Sequence, residues 1–309
     1  MKQSDYIPPF SDFGFKNLYG KPKSKENLIF LLNQIFKGEE DYEPIVDLEY
    51  KNVENQGDNS ERKTTRFDVY CKTDSGKIFI VEMQNQLNSH LKQRLIFYLC
   101  QAVVEQDSRT ESNKPWNYDF PQVKVIMFCN FVDSEIDKEE VNDFGILNRK
   151  SHRELGRHVS LTLLQIPLFP KRKEECKTEL EKIVYSMEHM ETILTDKEIS
   201  FSKREGDFYD RIQRMSRTGA LTQDELHAYH QWLKVTNDDR LLLYEAENRG
   251  RAEGLLEGRA EGRAEGIAEG ENAQAWKSAQ RMHEKGFSLI EIADLTDLPI
   301  SELEEKFKS

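Results

Sequence analysis

The chain of 309 residues contains no apolar run of about 18 residues, so it has no segment suited to span a membrane. The opening residues 1–12, MKQSDYIPPFSD, lack the apolar segment of a secretion signal, and the sequence therefore predicts a cytoplasmic protein. Cysteine is scarce, and Cys71, Cys100, Cys129 and Cys176 form no C-x-x-C pair, which is typical of reduced core thiols. Basic residues number 44 against 56 acidic ones, so any binding of nucleic acid must depend on a local basic patch.

The apolar content of the chain, 37% of its residues, is sufficient for a hydrophobic core. Apolar periodicity predicts helices at 23–38 and 88–106, the second with Asn88 as N-cap. Strand-like runs are found at 44–53, 64–73, 77–85, 123–132 and 158–169. The resulting order, one helix, three strands, a helix and a strand, predicts an α/β fold, with helices predominating after residue 170.

Two of these runs carry an acid where a core residue is expected. If Asp74–Gly76 forms the connecting loop, with Gly76 in a left-handed conformation, Asp68 lies directly opposite Glu82 and Gln84 shares their face. The other face is then uniformly apolar, with Phe67, Val69, Cys71, Phe79, Val81 and Met83.

Facing carboxylates repel each other, with Cβ atoms roughly 5 Å apart, unless a cation lies between them. Asp68 and Glu82 therefore predict a site for Mg²⁺ or Mn²⁺, because both ions favour hard oxygen ligands. Such an ion can lower the pKa of a bound water and polarise a phosphate. Gln84 would orient that water or contact the phosphate. The alternative is an exposed hairpin with a polar outer face, whose acids are paired by Arg66 or by lysines.

A tetrapeptide repeat, RAEG, LLEG, RAEG, RAEG, IAEG, occupies residues 251–270. Each interior glycine costs about 1 kcal/mol relative to alanine in a helix, so we expect weak helicity unless a partner supports it. Arg259 and Arg263 are like charges at i,i+4, as are Glu257 and Glu261, so these charges pair better between two helices than within one. The sequence leaves open an oligomerising arm and a tolerated linker produced by repeat slippage.

The C-terminal tail, 286–307, contains two predicted capping boxes, Ser288 with Glu291 and Ser301 with Glu304. The two short helices that they open are compatible with a helix-turn-helix. The second helix is largely acidic and poorly suited to lie against phosphates, so a role in packing or protein interaction is favoured.

The order of these elements, with Asp on the second strand and Glu-x-Gln on the third, resembles the PD-(D/E)XK nuclease superfamily. Four segments are more narrowly similar to the PD-(D/E)XK nuclease family transposases, also called the Rpn recombination-promoting nuclease family: SDFGFKNLYG (11–20), FDVY (67–70), VEMQ (81–84) and RLIFYLCQAVVEQ (94–106). The likeness covers residues 5–200, and members often carry comparable Glu-Gly-Arg repeats.

This resemblance implies a restriction-endonuclease-like α-βββ-α-β core and a metal-dependent DNA endonuclease associated with recombination or mobile elements. By position, Asp68 and Glu82 correspond to the metal-binding acids, and Gln84 to the residue that is usually lysine. Glutamine removes a cation that would stabilise the transition state, although it is the usual choice in this family. Asp12, in the family's D-x-x-F-K motif, is either a further ligand or the cap of a turn.

The sequence thus predicts a nuclease-like domain at 1–190, a helical extension at 191–248, the repeat arm at 249–271 and a helix-turn-helix-like tail at 272–309. The expected activity is Mg²⁺- or Mn²⁺-dependent hydrolysis of phosphodiester bonds, with Asp68, Glu82 and Gln84 as catalytic residues. Expected partners are DNA and further copies of the chain, bound through the C-terminal helical arm. The competing prediction is a catalytically weak nuclease fold that serves as an oligomeric interaction or regulatory module.

Arg94 and Tyr98 are supporting candidates, at i,i+4 on the second predicted helix. We expect them to pack beneath the sheet or to touch substrate.

Overall fold

The computed structural model describes residues 5–40, 42–51, 54–55, 65–107 and 120–307. The chain divides into two compact units, Met1–His230 and Gln231–Ser309. The four-part division expected from the sequence stays a prediction.

The described elements are as follows. The helices are α1 (Asp12–Tyr19), α2 (Lys25–Phe36), α3 (Leu91–Asp107), α4 (Glu179–Glu188), α5 (Met190–Thr195), α6 (Phe208–Met215), α7 (Gln223–Glu284), α8 (Leu289–Thr296) and α9 (Ile300–Phe307). The strands are β1 (Leu48–Tyr50), β2 (Glu54–Asn55), β3 (Thr65–Arg66), β4 (Val69–Thr73), β5 (Ile78–Gln84), β6 (Val123–Cys129), β7 (Val141–Leu147) and β8 (Glu154–Gln165).

A six-stranded sheet forms the centre of the first unit, in the order β1-β4-β5-β6-β8-β7. β5, β6 and β8 run parallel, whereas β1, β4 and β7 join the sheet antiparallel. Residues of α1, α2, α4 and α6 cover one face, and α3 covers the other. Every residue of β6 is buried, as its nearly continuous apolar run predicts. The predicted α/β class is confirmed.

The predicted hairpin register is also confirmed. Tyr70 lies opposite Ile80 and Val69 opposite Val81, and the connecting loop contains Gly76 at φ 90°. The ladder stops at Val69, because the chain bends at Asp68.

The predicted apolar face of this hairpin is confirmed for Val69, Cys71, Phe79, Val81 and Met83, which lie in one buried cluster, and is wrong for Phe67. Because of the bend, Phe67 lies with Tyr70 and Ile80 on the α3 side, although Phe67 was expected on the opposite face. That side is packed against α3, so it is not an exposed polar surface. The side chain of Arg66 lies outside the described residues.

Several local predictions need correction. β7 lies in a segment for which no strand was predicted. α3 begins at Leu91 and not directly after Asn88, the predicted N-cap. Asn88 Oδ1 instead accepts the N–H of His90 (3.0 Å) in the turn that precedes the helix. Cys71 and Cys129 are buried as expected of core thiols. The expectation fails for the other two cysteines, since Cys100 is exposed and Cys176 half-buried.

The second unit contains most of α7, with α8 and α9 packed around its C-terminal end. The repeat is helical and lies within α7. The first predicted capping box is confirmed: the N–H of Ser288 donates to Glu291 Oε2 at 2.8 Å, and the N–H of Glu291 donates to Ser288 Oγ at 3.3 Å. The second is wrong, because α9 begins at Ile300 and Ser301 already lies in its first turn.

Within the described ranges, no helix has both the length and the hydropathy that a bilayer crossing requires.

Candidate active site

Asp68 and Glu82 meet at one end of the central sheet. The backbone N–H of Asp68 donates to Glu82 Oε1 (3.2 Å), and the N–H of Met83 donates to Asp68 Oδ2 (2.9 Å). Side-chain oxygens thus accept from the backbone where the β4–β5 ladder stops. Because backbone donors hold both carboxylates, the two acids are fixed in orientation before any ligand binds.

A lysine that the sequence reasoning did not single out completes this arrangement. Lys16 Nζ lies 3.1 Å from Asp68 Oδ1 and 2.9 Å from Asp12 Oδ1. The i,i+4 spacing of Asp12 and Lys16 within D-x-x-F-K was the signal that could have identified Lys16. The hypothesis that basic side chains pair the acids therefore holds for Asp68, through Lys16.

Helix α1 places Lys16 by two local features. Ser11 is the N-cap, and its Oγ accepts the N–H of Gly14 at 3.0 Å. Gly14 packs directly against the preceding loop, since a Cβ there would lie 2.0 Å from the carbonyl oxygen of Pro8. Only glycine fits this approach, which explains the glycine in SDFGFK. Asp12 does not cap the helix and lies in its first turn.

Burial makes the acid pair costly to ionise. Glu82 is only 3% exposed, and its pKa is raised well above the ordinary glutamate value by burial first and by the charge of Asp68 second. Burial also raises the pKa of Asp68, although Lys16 and the N–H of Met83 act in the opposite direction. The site therefore favours a bound proton or another positive charge.

Helix α3 brings Arg94 and Tyr98 to the same region. The guanidinium carbon of Arg94 lies 5.9 Å from the centre of the Tyr98 ring, and the charge of Arg94 lowers the pKa of Glu82. In the part of the chain that is described, the buried Nε and Nη2 of Arg94 have no hydrogen-bond acceptor. Burial, followed by the charge of Glu82, raises the pKa of Tyr98. Packing beside the sheet is thus confirmed for both residues, and two hydrogen-bond donors of Arg94 have no acceptor among the described residues.

A cleft of about 420 Å³ opens beside the acid pair. Its walls are formed by Asp12, Asp68, Met83, Gln84, Asn85, Gln86, Leu87 and Asn88. The structure therefore brings Asp12, Asp68 and Gln84 to one opening. Glu82 is not part of the wall and reaches the site through its contact with Asp68.

The donor set suits a hard divalent cation. Two carboxylates and the amide oxygen of Gln84 are ligand types that Mg²⁺ and Mn²⁺ accept while retaining several waters. Across the described residues there is no group of three or more His, Cys, Asp or Glu side chains arranged for a metal. The raised pKa values of Asp68 and Glu82 supply the physical reason for a cation, which would relieve their repulsion.

Comparison with protein families identifies a match over most of the chain. The family described as PD-(D/E)XK nuclease family transposase matches residues 9–246, more than half of the chain. Comparison of the chain with curated proteins and with solved structures found no significant match.

Proposed function

The chain belongs to the PD-(D/E)XK nuclease family transposases, and from this we propose that it is a Mg²⁺-dependent DNA endonuclease that hydrolyses phosphodiester bonds. The family implies a nuclease associated with transposition, and PD-(D/E)XK nucleases generally use divalent metal ions. The observation that carries the proposal is the buried pair Asp68 and Glu82, held together by a hydrogen bond at the edge of an open cleft. Mn²⁺ is the alternative cation for the same ligands, and the cytoplasmic location stays a prediction.

The proposal assigns a chemical role to each residue of the site. Asp68 and Glu82 hold the cation, which when bound polarises the phosphate and offsets charge that develops in the transition state. Gln84, on the cleft wall, donates or accepts a hydrogen bond to position the attacking water or the phosphate. Arg94, whose buried Nε and Nη2 have no acceptor among the described residues, stabilises the ionised form of Glu82 through its charge.

Lys16 provides the positive charge that glutamine at position 84 does not. Its ammonium group approaches Asp68 from α1, whereas a lysine at 84 would extend from β5. Lys16 therefore places a cation against Asp12 and Asp68, two residues of the cleft wall to which Gln84 also belongs. Lys16 thus compensates in space for the glutamine in the Glu-x-Gln motif.

A plasmid assay tests the activity. Purified protein with supercoiled DNA should produce nicked circles with Mg²⁺ or Mn²⁺, and none after chelation with EDTA. Asp68→Ala and Glu82→Ala should each abolish nicking, because each removes a ligand. Equal nicking by the wild type and both variants would reveal a contaminating nuclease and remove the case for the proposal.

The second candidate function, an oligomeric interaction module, is favoured by the exposed surface of α7. Apart from the nearby backbone of α7 itself, no described atom lies within 4 Å of the position that a Cβ would take at Gly250, Gly254, Gly258, Gly262, Gly266 and Gly270. Leu255, Leu256 and Ile267, in the same segment, are more than half exposed. Close approach of a second helix would bury these side chains.

Truncation tests this arm. A chain ending at Glu247 should sediment as a smaller assembly than the full-length protein, because it lacks the repeat and the tail. The control is a full-length chain with Leu255→Ser and Leu256→Ser, which keeps the length but removes apolar contacts. An unchanged subunit number in the truncated protein would reject oligomerisation through the arm.

A further inference from the structure

The strands β7 and β8 continue as a two-stranded ribbon beyond the central sheet. β6 pairs with β8 from Val159 onward, and before that residue β8 pairs only with β7 among the described strands. The last pair of the ribbon, Leu147 with Glu154, leads into a hairpin loop, and every residue from 143 to 158 is exposed. Glu154 lies roughly 17 Å along β8 from Val159, at 3.3 Å per residue. The ribbon therefore presents both of its faces to solvent.

Positive charge is concentrated in this ribbon, although the chain as a whole carries a formal net charge of -12. Residues 148–158 contain a single acid, Glu154, and four side chains that are cationic at neutral pH: Arg149, Lys150, Arg153 and Arg157. An acidic chain binds nucleic acid through a local basic patch of this kind.

The acid of the ribbon is already paired. Arg157 Nε donates to Glu154 Oε2 at 2.7 Å, and Nη2 of the same arginine donates to Glu40 Oε2 at 2.9 Å. The other three cations, Arg149, Lys150 and Arg153, form no ion pair within the described part of the chain. Three exposed positive charges at the tip of the ribbon are thus left for an anionic partner.

Hydrogen bonds fix the loop that carries these charges. The backbone N–H of Asn148 donates to the carbonyl oxygen of Arg153, and the N–H of His152 donates to the carbonyl oxygen of Asn148, each at 2.8 Å. Asn148 Oδ1 accepts the N–H groups of Lys150 and Ser151, each at 3.0 Å. Because the turn is formed in advance, a partner that binds it orders side chains and not the backbone.

The ladder of the ribbon is irregular. Its register shifts between Phe144 and Ile146 and again between Ile146 and Leu147. Such irregularities bend a strand, increase its twist and hinder pairing of an edge with a further strand. A twisted two-stranded ribbon is instead a shape that the major groove of B-DNA admits, since that groove is about 12 Å wide and 8.5 Å deep.

We propose that the tip of the β7–β8 ribbon enters the major groove of duplex DNA, where Arg149, Lys150 and Arg153 bind phosphate oxygens on the two sides of the groove. Contacts of this kind position a protein on a duplex and supply affinity without reading the base sequence. The inference rests on the proposed action of the chain on DNA, and it adds a contact that the cleft does not supply.

The ribbon tip is distant from the acid pair. Glu82 is level with Leu163 of β8 through β6, and Arg153 precedes Leu163 by roughly 33 Å along the strand. The ribbon therefore holds the duplex and takes no part in the chemical step.

Duplex binding in EDTA tests this contact without cleavage. The full-length protein with Arg149→Gln, Lys150→Gln and Arg153→Gln should bind a labelled duplex of about 30 bp roughly a hundredfold more weakly than the wild type at low salt. The plot of log K against log salt concentration should become shallower by about 2.7, because each lost phosphate contact contributes about 0.9. Arg149→Lys with Arg153→Lys keeps the charges and should keep most of the affinity.

A matched variant removes the same charge from another exposed segment. Lys197, Lys203 and Arg204 are exposed and form no ion pair with any residue that the structure describes. Replacing all three by glutamine should change the dissociation constant by less than about threefold, because exposed charges far from the duplex are screened. Equal weakening by the two triple variants would show that binding follows net charge alone, and the ribbon proposal would then be wrong.

Competition by duplex RNA tests the choice of groove. A-form RNA has a deep, narrow major groove that side chains do not reach, so RNA of the same sequence should compete about tenfold less well than DNA. Equal competition would overturn the assignment to the major groove of DNA.

These measurements separate the ribbon from the proposed activity, because they need no divalent metal. If the protein fails to nick DNA but loses affinity in the ribbon variant, the endonuclease proposal fails and the ribbon contact stands. If the protein nicks DNA and the ribbon variant binds as tightly as the wild type, the ribbon proposal alone is overturned.

Discussion

Glu82→Gln should lower Mg²⁺-dependent nicking at least about a hundredfold and, at the same time, stabilise the metal-free protein. The first effect follows from loss of a ligand charge. The second follows from burial, which raises the pKa of Glu82 and thereby disfavours the folded state wherever the side chain is ionised. Glutamine has nearly the same shape and carries no charge to desolvate.

The sign of the stability effect fixes its pH dependence. A carboxyl with a raised pKa contributes stability at pH values below its unfolded pKa of about 4.3, and this contribution is lost as the pH rises through the folded pKa. The advantage of Glu82→Gln should therefore be absent at pH 4 and on the order of 1 kcal/mol at pH 8, measured by urea unfolding without divalent metal.

Two controls distinguish the loss of the metal ligand at Glu82 from a general effect of replacing an acid with an amide. Mg²⁺ should raise the midpoint of the wild type and leave that of Glu82→Gln almost unchanged. Glu188→Gln removes an exposed acid that pairs with Lys171, and it should alter neither nicking nor the response to Mg²⁺. A Glu82→Gln protein that is less stable than the wild type at pH 8 would contradict the account of the buried acid pair.

Lys16→Met should lower kcat/KM for nicking by about ten- to a hundredfold while retaining most of the packing volume of the lysine stem. Lys16 lowers the pKa of Asp68, so its removal should shift the acidic limb of the pH–rate profile to higher pH. Lys16→Arg keeps the charge and should keep most of the activity. The measurement is kcat/KM against pH at saturating Mg²⁺.

A rescue experiment distinguishes a catalytic cation from a structural one. Gln84→Lys in the Lys16→Met background should recover part of the lost rate, because it returns a positive charge to the same cleft from β5. If Lys16→Met only lowers the melting temperature, with no shift in the pH profile and no rescue, Lys16 has a structural role alone.

The hairpin register was predictable because its determinants are local. The three-residue loop ending in Gly76 fixes the pairing of the strands that it joins, and this pairing brings Glu82 level with Asp68. The position of Phe67 was not predictable in this way. It depends on the carboxylate of Asp68, which accepts from the backbone of Met83 and bends the chain.

Lys16 and β7 were missed because both depend on contacts distant in sequence. Lys16 acquires its role when α1 packs beside Asp68, and its i,i+4 spacing from Asp12 indicates the local pair within α1 but not this long-range contact. β7 contains Asn, Asp and Gly, which disfavour strands, and it is held by its ladder with β8. A pattern within seven residues carries little information about such pairing.

The close approach of Gly14 to Pro8 has a consequence for the geometry of the cleft. A Cβ at position 14 would lie 2.0 Å from the carbonyl oxygen of Pro8, so any other residue there would displace the start of α1. Lys16 lies on the same short helix and forms an ion pair with Asp68 of the sheet. A packing contact that touches neither carboxylate of the acid pair therefore sets how far the ammonium group stands from Asp68.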